Sequence, residues 1–561
     1  MVVSQTDFTL DQIKSQQIVI VAGMHRSGTS WVSSLLSELG IQFGDDLLSA
    51  DLHNQRGYFE DRSFLSLNQR ILNECVQQDK QSVADWGWSS NTSNAISGLE
   101  RYIPEATKLI HTRFNINGVW GWKDPRNTIL LDFWNELLPH AKYVFVYRFP
   151  WEVADSMQRL GPTEFLRHPN YAYEIWGVYN RKLLDFYNAH RDRCVLISTN
   201  ELSRDPSRLV TLLESKLNLQ LVFSQSQLNF ERELFRSNFK IDAAKSMMAN
   251  VFPQLGSLLL ELETAADISS AILLNKNNSL RFNKSIPDTP DVSIIIPCYN
   301  QGIFLFDALL SIETFAPDES EVIILNDGST DLITIEILNR LSLLGYAVHH
   351  QENVGLSTTR NRLVDLSRSD IVLPLDSDNR ICENFIQKSL QILDQSADIG
   401  VVYGDRKDFG MVNEIITVWD FQMEKMVIDN YIDACAMIRK QVLKECGGYD
   451  VNLKAWEDWE LWLHASKKGW RFYKLPFVTF EYRRSPGSMV SMLNDPSFKA
   501  ICLKYIHQKH QELFISKEVN SSVPSNLNSQ NQKAKSTIGK LIARLRIFQQ
   551  KLHYLNRMFK K

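Results

Sequence analysis

The stretch QQIVIVAGMHRSGTSWVSSLLSELG (residues 16–40) decides the reading of the N-terminal half. It runs from a β-branched core, IVIVAG, through a polar loop with two glycines into the helical pattern WVSSLLSEL. An apolar strand feeding a loop and an amphipathic helix opens an α/β domain with a parallel sheet. The same grammar recurs in DVSIIIPCYNQGIFLFDALLSIETF (291–315), so the chain starts such a domain twice. Between the two, NKNNSLRFNKSIPDTPD (275–291) has little periodicity and reads as a linker. The boundary is placed near 285, giving domains at 1–285 and 286–515, with a polar linker and basic amphipathic tail at 516–561. Neither half has a motif that needs the other to complete it, so the two are expected to fold separately.

Composition sets the class. The 561 residues are 44% hydrophobic and 22% charged, ordinary globular usage that excludes global disorder, collagen and coiled coil. A net charge of -4 excludes bulk attraction to nucleic acid. The seven scattered cysteines fit no disulfide framework or CxxC knuckle and suit a reducing cytoplasm. The polar N-terminus lacks the apolar core of a signal peptide, and no run of 18 uncharged apolar residues predicts a membrane span. A cytoplasmic location is expected.

In the first loop, Gly23-Met24-His25-Arg26-Ser27-Gly28-Thr29-Ser30 follows phosphate-loop logic: the glycines let backbone N–H groups converge at a helix N-terminus. The pattern is G-x-x-x-x-G-T-S, so Thr29 stands where an ATPase carries lysine, and the cation is Arg26. A second strand, KYVFVYRFP (142–150), places Arg148 where a phosphate-hydrolysing enzyme needs a magnesium-binding Asp. Both departures argue against a phosphate-loop NTPase and for an anionic nucleotide held without metal. The loop HRSGTSW, the box KDPR (123–126) and FVYRFPWEVADSM (145–157) resemble the nucleotide-binding signature of sulfotransferases, over about residues 15–210. The resemblance implies a doubly wound parallel sheet and 3′-phosphoadenylyl sulfate (PAPS) as sulfuryl donor. It assigns Arg26, Ser27, Gly28, Thr29 and Ser30 to the 5′-phosphosulfate, and Arg148 and Ser156 to the 3′-phosphate. Arg26 departs from the lysine of the cytosolic small-molecule branch. The similar motif in related sulfotransferases favours Glu60, in NQRGYFEDRSF, as the base, with Asp61 and His53 as alternatives. The structural reading of Glu60 is a loop carboxylate paired with Arg56 or Arg62. Lys123 is the candidate to neutralise the leaving phosphate, against an ion pair with Asp124. His25 reads as a packing residue.

In the second half, VSIIIPCYN (292–300), EVIILNDGSTD (321–331) and SDIVLPLDSDNRI (369–381) each end a strand in a polar or acidic turn, where open α/β sheets bind ligands. Asp376-Ser377-Asp378 offers oxygen ligands for a hard cation bridging a diphosphate. The run 290–490 resembles an inverting family 2 glycosyltransferase of GT-A fold. That implies Pro297, Tyr299 and Asp327 in the nucleoside pocket, Arg360 near the diphosphate, and Asp378 with Asp376 on Mn²⁺ or Mg²⁺. In CGGYDVNLKAWEDWELWLHASKKG (446–469), Asp458 matches the family's catalytic base, with Glu457 beside it. Inversion needs one carboxylate to take the acceptor proton, and an adjacent acid raises its pKa. Trp456 and Trp459 read either as sugar-stacking or as core. EYRRSPGSMVS (481–491) lacks the histidine that some members add to the metal.

The tail, 533–561, places apolar residues on one helical face among lysines and arginines, which suits a membrane surface or a partner. The whole reads as a bifunctional transferase in sulfated glycan or glycolipid biosynthesis, acting on a glycan or glycolipid acceptor. The alternative keeps one head catalytic and the other as a binding module, and a third reading is a non-catalytic carbohydrate-binding protein.

Overall fold

The computed structural model describes residues 17–50, 57–76, 82–89, 96, 98–113, 118–160, 163–219, 221, 239–269, 288–486 and 489–514. His53, Arg56, the expected boundary near 285 and the amphipathic tail lie outside these residues. Residues 1–496 form one compact unit and 497–561 a second. The second unit shows the body of the helix Pro496–Lys509.

The N-terminal region holds strand β1 (Gln17–Ala22), helices α1 (Thr29–Glu38) and α2 (Arg62–Cys75), and strands β2 (Val119–Lys123) and β3 (Lys142–Tyr147). Helices α3 (Pro150–Leu160) and α4 (Asn170–Ala189) and strand β4 (Cys194–Ser198) follow. Its sheet is wholly parallel, in the order β2-β1-β3-β4. Ile18, Val19, Ile20 and Val21 are all buried, because a parallel strand covered on both faces needs a continuous apolar run. Gly121 lies against Val19, where any Cβ would strike the Val19 carbonyl.

The C-terminal region holds β5 (Val292–Cys298), α5 (Gly302–Phe315), β6 (Ser320–Asp327), β7 (Ala347–Gln351), α6 (Leu356–Leu366) and β8 (Ile371–Pro374). Then come β9 (Arg380–Ile381), β10 (Ile399–Gly410), β11 (Met437–Arg439), α7 (Glu457–Lys467) and β12 (Arg471–Arg484). The mixed sheet runs β9-β12-β10-β11-β8-β5-β6-β7. Its β8-β5-β6-β7 half is parallel, and β11 pairs antiparallel to β8 and β10. The α/β expectation holds in both regions.

The two halves are in contact. Trp151 and Phe252 pack on Phe306 of α5, with ring centroids 6.4 and 5.9 Å away. The Lys240 N–H donates to Thr314 Oγ1 at 3.2 Å, and Arg340 donates to the Val251 carbonyl at 2.8 Å. Beside these contacts lies a buried charge cluster. Arg380 donates to Asp155 at 2.6 Å, and Arg159 pairs with Glu481 at 3.2 Å. Motif grammar marks where a domain starts, but it does not reveal which charged side chains cross to a neighbour.

Candidate active sites

The first site forms where β1 ends. Arg26 and Gly28 adopt left-handed φ values of 66° and 90°, which turn the loop so that α1 begins with Gly28 as its N-cap. Ser27 is fully buried, and its hydroxyl has no partner of its own, as suits a cradle whose ligand is an anion. Arg26 Nε donates to Ser156 Oγ at 2.9 Å, so the loop and α3 meet. Thr29 is buried and Ser30 half-buried at the start of α1.

Lys123, at the end of β2, is 2% exposed. It donates to Ser30 Oγ at 3.1 Å, to the Tyr58 carbonyl at 3.1 Å and to Glu60 Oε1 at 2.7 Å. The partner of Lys123 is therefore Glu60, while Asp124 takes Arg126 and Asn68. Glu60 is correspondingly buried rather than loop-exposed. Asp61 is spent on structure: it caps α2 by accepting from the Ser63 N–H at 2.9 Å, and it pairs with Arg113. Burial, followed by Arg126, Lys123 and Arg26, holds the His25 pKa well below 6.5. Its ring stacks on Trp86 at 3.9 Å, the packing role read from sequence.

Arg148, after β3, donates to Glu152 at 2.6 Å. It lines a cavity of about 920 Å³ together with Ser156. The opposite wall of that cavity comes from the C-terminal region, including Arg380, Lys407 and Glu481.

The second site gathers at the carboxyl ends of β5, β6 and β8. Asp376 and Asp378 form the turn between β8 and β9. Burial and then Asp376 push the Asp378 carboxyl up to about 7. Among the described residues, no group of three His, Cys, Asp or Glu side chains can hold a metal. Two adjacent carboxylates fit a cation that takes its remaining oxygens from substrate phosphates and water.

Arg360, on α6, is 2% exposed and ties the site together. It donates to Asp376 at 2.6 Å and to Glu457 at 2.5 Å. That bridge brings the acidic turn to the start of α7, whose N-cap is the left-handed Trp456. Asp458 accepts from Asn430 Nδ2 at 3.0 Å. Burial, then Glu457 and Asp433, push its pKa up to about 8, the state of a carboxyl ready to exchange a proton.

Pro297 is buried in β5 and Tyr299 is 48% exposed beyond it. Asp327 is buried at the end of β6. It accepts from the Val354 and Gly355 amides at 2.9 and 3.0 Å and from Gln351 at 2.8 Å, so it braces the 353–355 turn. Trp459 is core: it is 1% exposed and donates to the Met426 carbonyl at 2.6 Å. Asn430 and Asp433 escaped sequence reading because YIDAC (431–435) carries no motif.

Two family models match the chain. Residues 18–222 match "Sulfotransferase family" and residues 293–447 match "Glycosyl transferase family 2". An "Uncharacterized glycosyltransferase" of Haemophilus influenzae is 27% identical over 207 residues, 35% of this chain and 70% of that protein. "Glycosyltransferase GlyG" of Streptococcus pneumoniae is 26% identical over 228 residues, 36% of this chain and 72% of that protein. Another relative, from Bacillus subtilis, is spanned over only 33% of its length. Among solved structures, S. aureus TarS 1-349 in complex with UDP-GlcNAc is 20% identical with a TM-score of 0.32, over 36% of this chain and 60% of that one. The chain thus carries a sulfotransferase-family region followed by a family 2 glycosyltransferase region.

Proposed function

We propose that the chain is a bifunctional transferase that moves sulfuryl from PAPS and a sugar from a nucleoside-diphosphate sugar onto a glycan or glycolipid. One observation carries this reading. Each site joins a phosphate-holding element to a carboxylate through a buried cation, Ser30–Lys123–Glu60 in one and Asp376–Arg360–Glu457 beside Asp458 in the other.

In the first site, the Arg26–Ser30 loop holds the 5′-phosphosulfate, and Arg148 and Ser156 take the 3′-phosphate. Lys123 meets charge as it builds on the departing phosphate, and Glu60 accepts the acceptor hydroxyl proton. In the second site, Pro297, Tyr299 and Asp327 border the nucleoside, and Arg360 orients the acidic turn. Asp458 takes the acceptor proton opposite the leaving diphosphate, inverting the anomeric carbon. A Mn²⁺ or Mg²⁺ ion held by Asp376 and Asp378 would neutralise that diphosphate. Lipid-linked acceptor and peripheral membrane contact through the basic tail belong to the same proposal. Among the described residues, no helix is long and apolar enough to cross a membrane.

The test is a donor screen on the purified full chain, measuring release of adenosine 3′,5′-bisphosphate and of each nucleoside diphosphate. Release of both classes is expected. Release of one class alone would reduce the other region to a binding module.

A further inference from the structure

We infer that helix α3, from the sulfotransferase-family region, supplies positioning residues to the acidic turn of the glycosyltransferase-family region. The inference rests on the reading above only for what that turn binds.

Arg483, near the end of β12, is 2% exposed and grips the turn directly. Its backbone N–H donates to Asn379 Oδ1 at 3.0 Å, and its Nε donates to the Asp378 carbonyl at 3.0 Å. Two nitrogens of its guanidinium remain. Nη2 donates to Asp307 at 2.7 Å, and Nη1 donates to Gln158 Oε1 on α3. Phe304 and Phe409 lie 4.4 Å from the same guanidinium and sandwich it.

Arg380 leaves the other side of the turn, and it too is held from α3. It donates to Asp155 at 2.6 Å and to Asp307 at 2.6 Å, with Glu481 at 3.3 Å. Asn413 in turn donates to the carbonyl of Arg159, the last charged residue of α3, at 2.9 Å.

Without α3, the C-terminal region would set Asp307 and Glu481 against Arg380, Arg483 and Lys407. Two carboxylates would then face three cations, with Asp307 shared between two guanidiniums. Helix α3 brings Asp155, which Arg380 shares with Arg159, and Gln158, an acceptor for the remaining guanidinium nitrogen of Arg483. A guanidinium is a rigid planar fork, so the acceptors around its rim fix its plane. Removing the Gln158 acceptor takes away one of the groups that fix the plane of Arg483, and Arg483 is what holds the Asp378 carbonyl. Residues behind a metal-binding group tune it in this way, and losing one weakens metal affinity or activity about 10- to 100-fold.

The test uses the full chain with Gln158→Leu, Gln158→Glu and Asp155→Asn. Hydrogen exchange across residues 376–383 reads the turn without any ligand, and calorimetry reads binding of uridine diphosphate with Mn²⁺. Gln158→Leu should exchange faster at the turn, with β5 and β6 unchanged, and bind uridine diphosphate about 10-fold or more weakly. Gln158→Glu keeps an acceptor oxygen and should restore both. Unchanged exchange at the turn in Gln158→Leu would overturn the inference, as would faster exchange spread evenly over the C-terminal region. Should Gln158→Leu fail to fold, Asp155→Asn decides by the same readout at the turn. If the parent chain binds no uridine diphosphate, its donor carries another nucleoside, and the exchange measurement still judges the role of α3.

Discussion

Asp155 and Arg380 sit in different family regions, so a double-mutant cycle between them measures how firmly those regions are joined. They are 2.6 Å apart, with side chains 21% and 2% exposed. Breaking a buried pair by removing one partner costs about 3–5 kcal/mol, because the other charge is left uncompensated. Asp155→Asn keeps the shape and deletes the charge, and Arg380 retains Asp307 and Glu481. The loss should therefore sit at the low end, at about 3 kcal/mol. Arg380→Met leaves Asp155 with Arg159 at 2.8 Å and Asp307 with Arg483 at 2.7 Å, so it too should fall near about 3 kcal/mol. The double variant should lose less than the sum by about 1–3 kcal/mol. Urea unfolding followed by tryptophan fluorescence reads this, since Trp151 packs on Phe306 across the same contact. The pH dependence adds an independent arm. Burial alone would raise the Asp155 carboxyl, but Arg380 and Arg159 hold it below the usual carboxylate range. A depressed native pKa stabilises above the unfolded value of about 3.9 and loses that stabilisation as pH falls through the native one. Asp155→Asn should thus flatten the loss of stability below about pH 4. Additive single losses, within about 0.5 kcal/mol, would refute the reasoning and restore two independent halves.

Three further outcomes are expected. Asp458→Asn should cost orders of magnitude in sugar-transfer rate with donor binding kept. Because Asp458 acts deprotonated, the parent rate should rise with pH through about 8. Glu457→Gln removes a charge that raises Asp458, so it should move that limb to lower pH, and an unmoved limb would assign the base elsewhere. Arg148→Ala should weaken adenosine 3′,5′-bisphosphate far more than adenosine 5′-phosphosulfate in calorimetry, and equal losses would remove Arg148 from the 3′-phosphate. Lys123→Met should slow sulfuryl transfer by about 100-fold or more, while Glu60→Gln slows it with PAPS affinity kept. If Glu60→Gln turns over normally, the Lys123–Glu60 pair is only structural.

Much of the fold was legible because its signals are local. IVIVAG and VSIIIPC are continuous apolar runs, as strands buried on both faces must be, and a polar loop follows each. The resemblances assigned the cradle residues and Asp376, Asp378 and Asp458 from motifs that are likewise local. What escaped was pairing at long separation. Nothing near Lys123 points to Glu60, since their contact spans 63 positions. Arg360 was expected near the diphosphate, and nothing in its surroundings in sequence points to its bonds to Asp376 and Glu457. Gln158 and Arg483 stand 325 positions apart and belong to no motif.

The same long-range contacts change what the fusion achieves. A flexible linker sets the effective concentration of one site at the other through its length. Here α3 serves both regions: Ser156 meets Arg26 of the anion cradle, while Asp155 and Gln158 hold Arg380 and Arg483 behind the acidic turn. Residues 155, 156 and 158 point around the helix at 100° per residue, so one turn of α3 faces both sites. The separation of the two candidate sites then follows from a helix that both share rather than from the length of the linker 275–291. Lengthening that chain with a Gly/Ser insert should leave the yield of doubly modified product at dilute enzyme unchanged, whereas a tethered pair would lose yield as the insert grows. Charge reversal at Asp155, by contrast, should lower the yield with the linker intact.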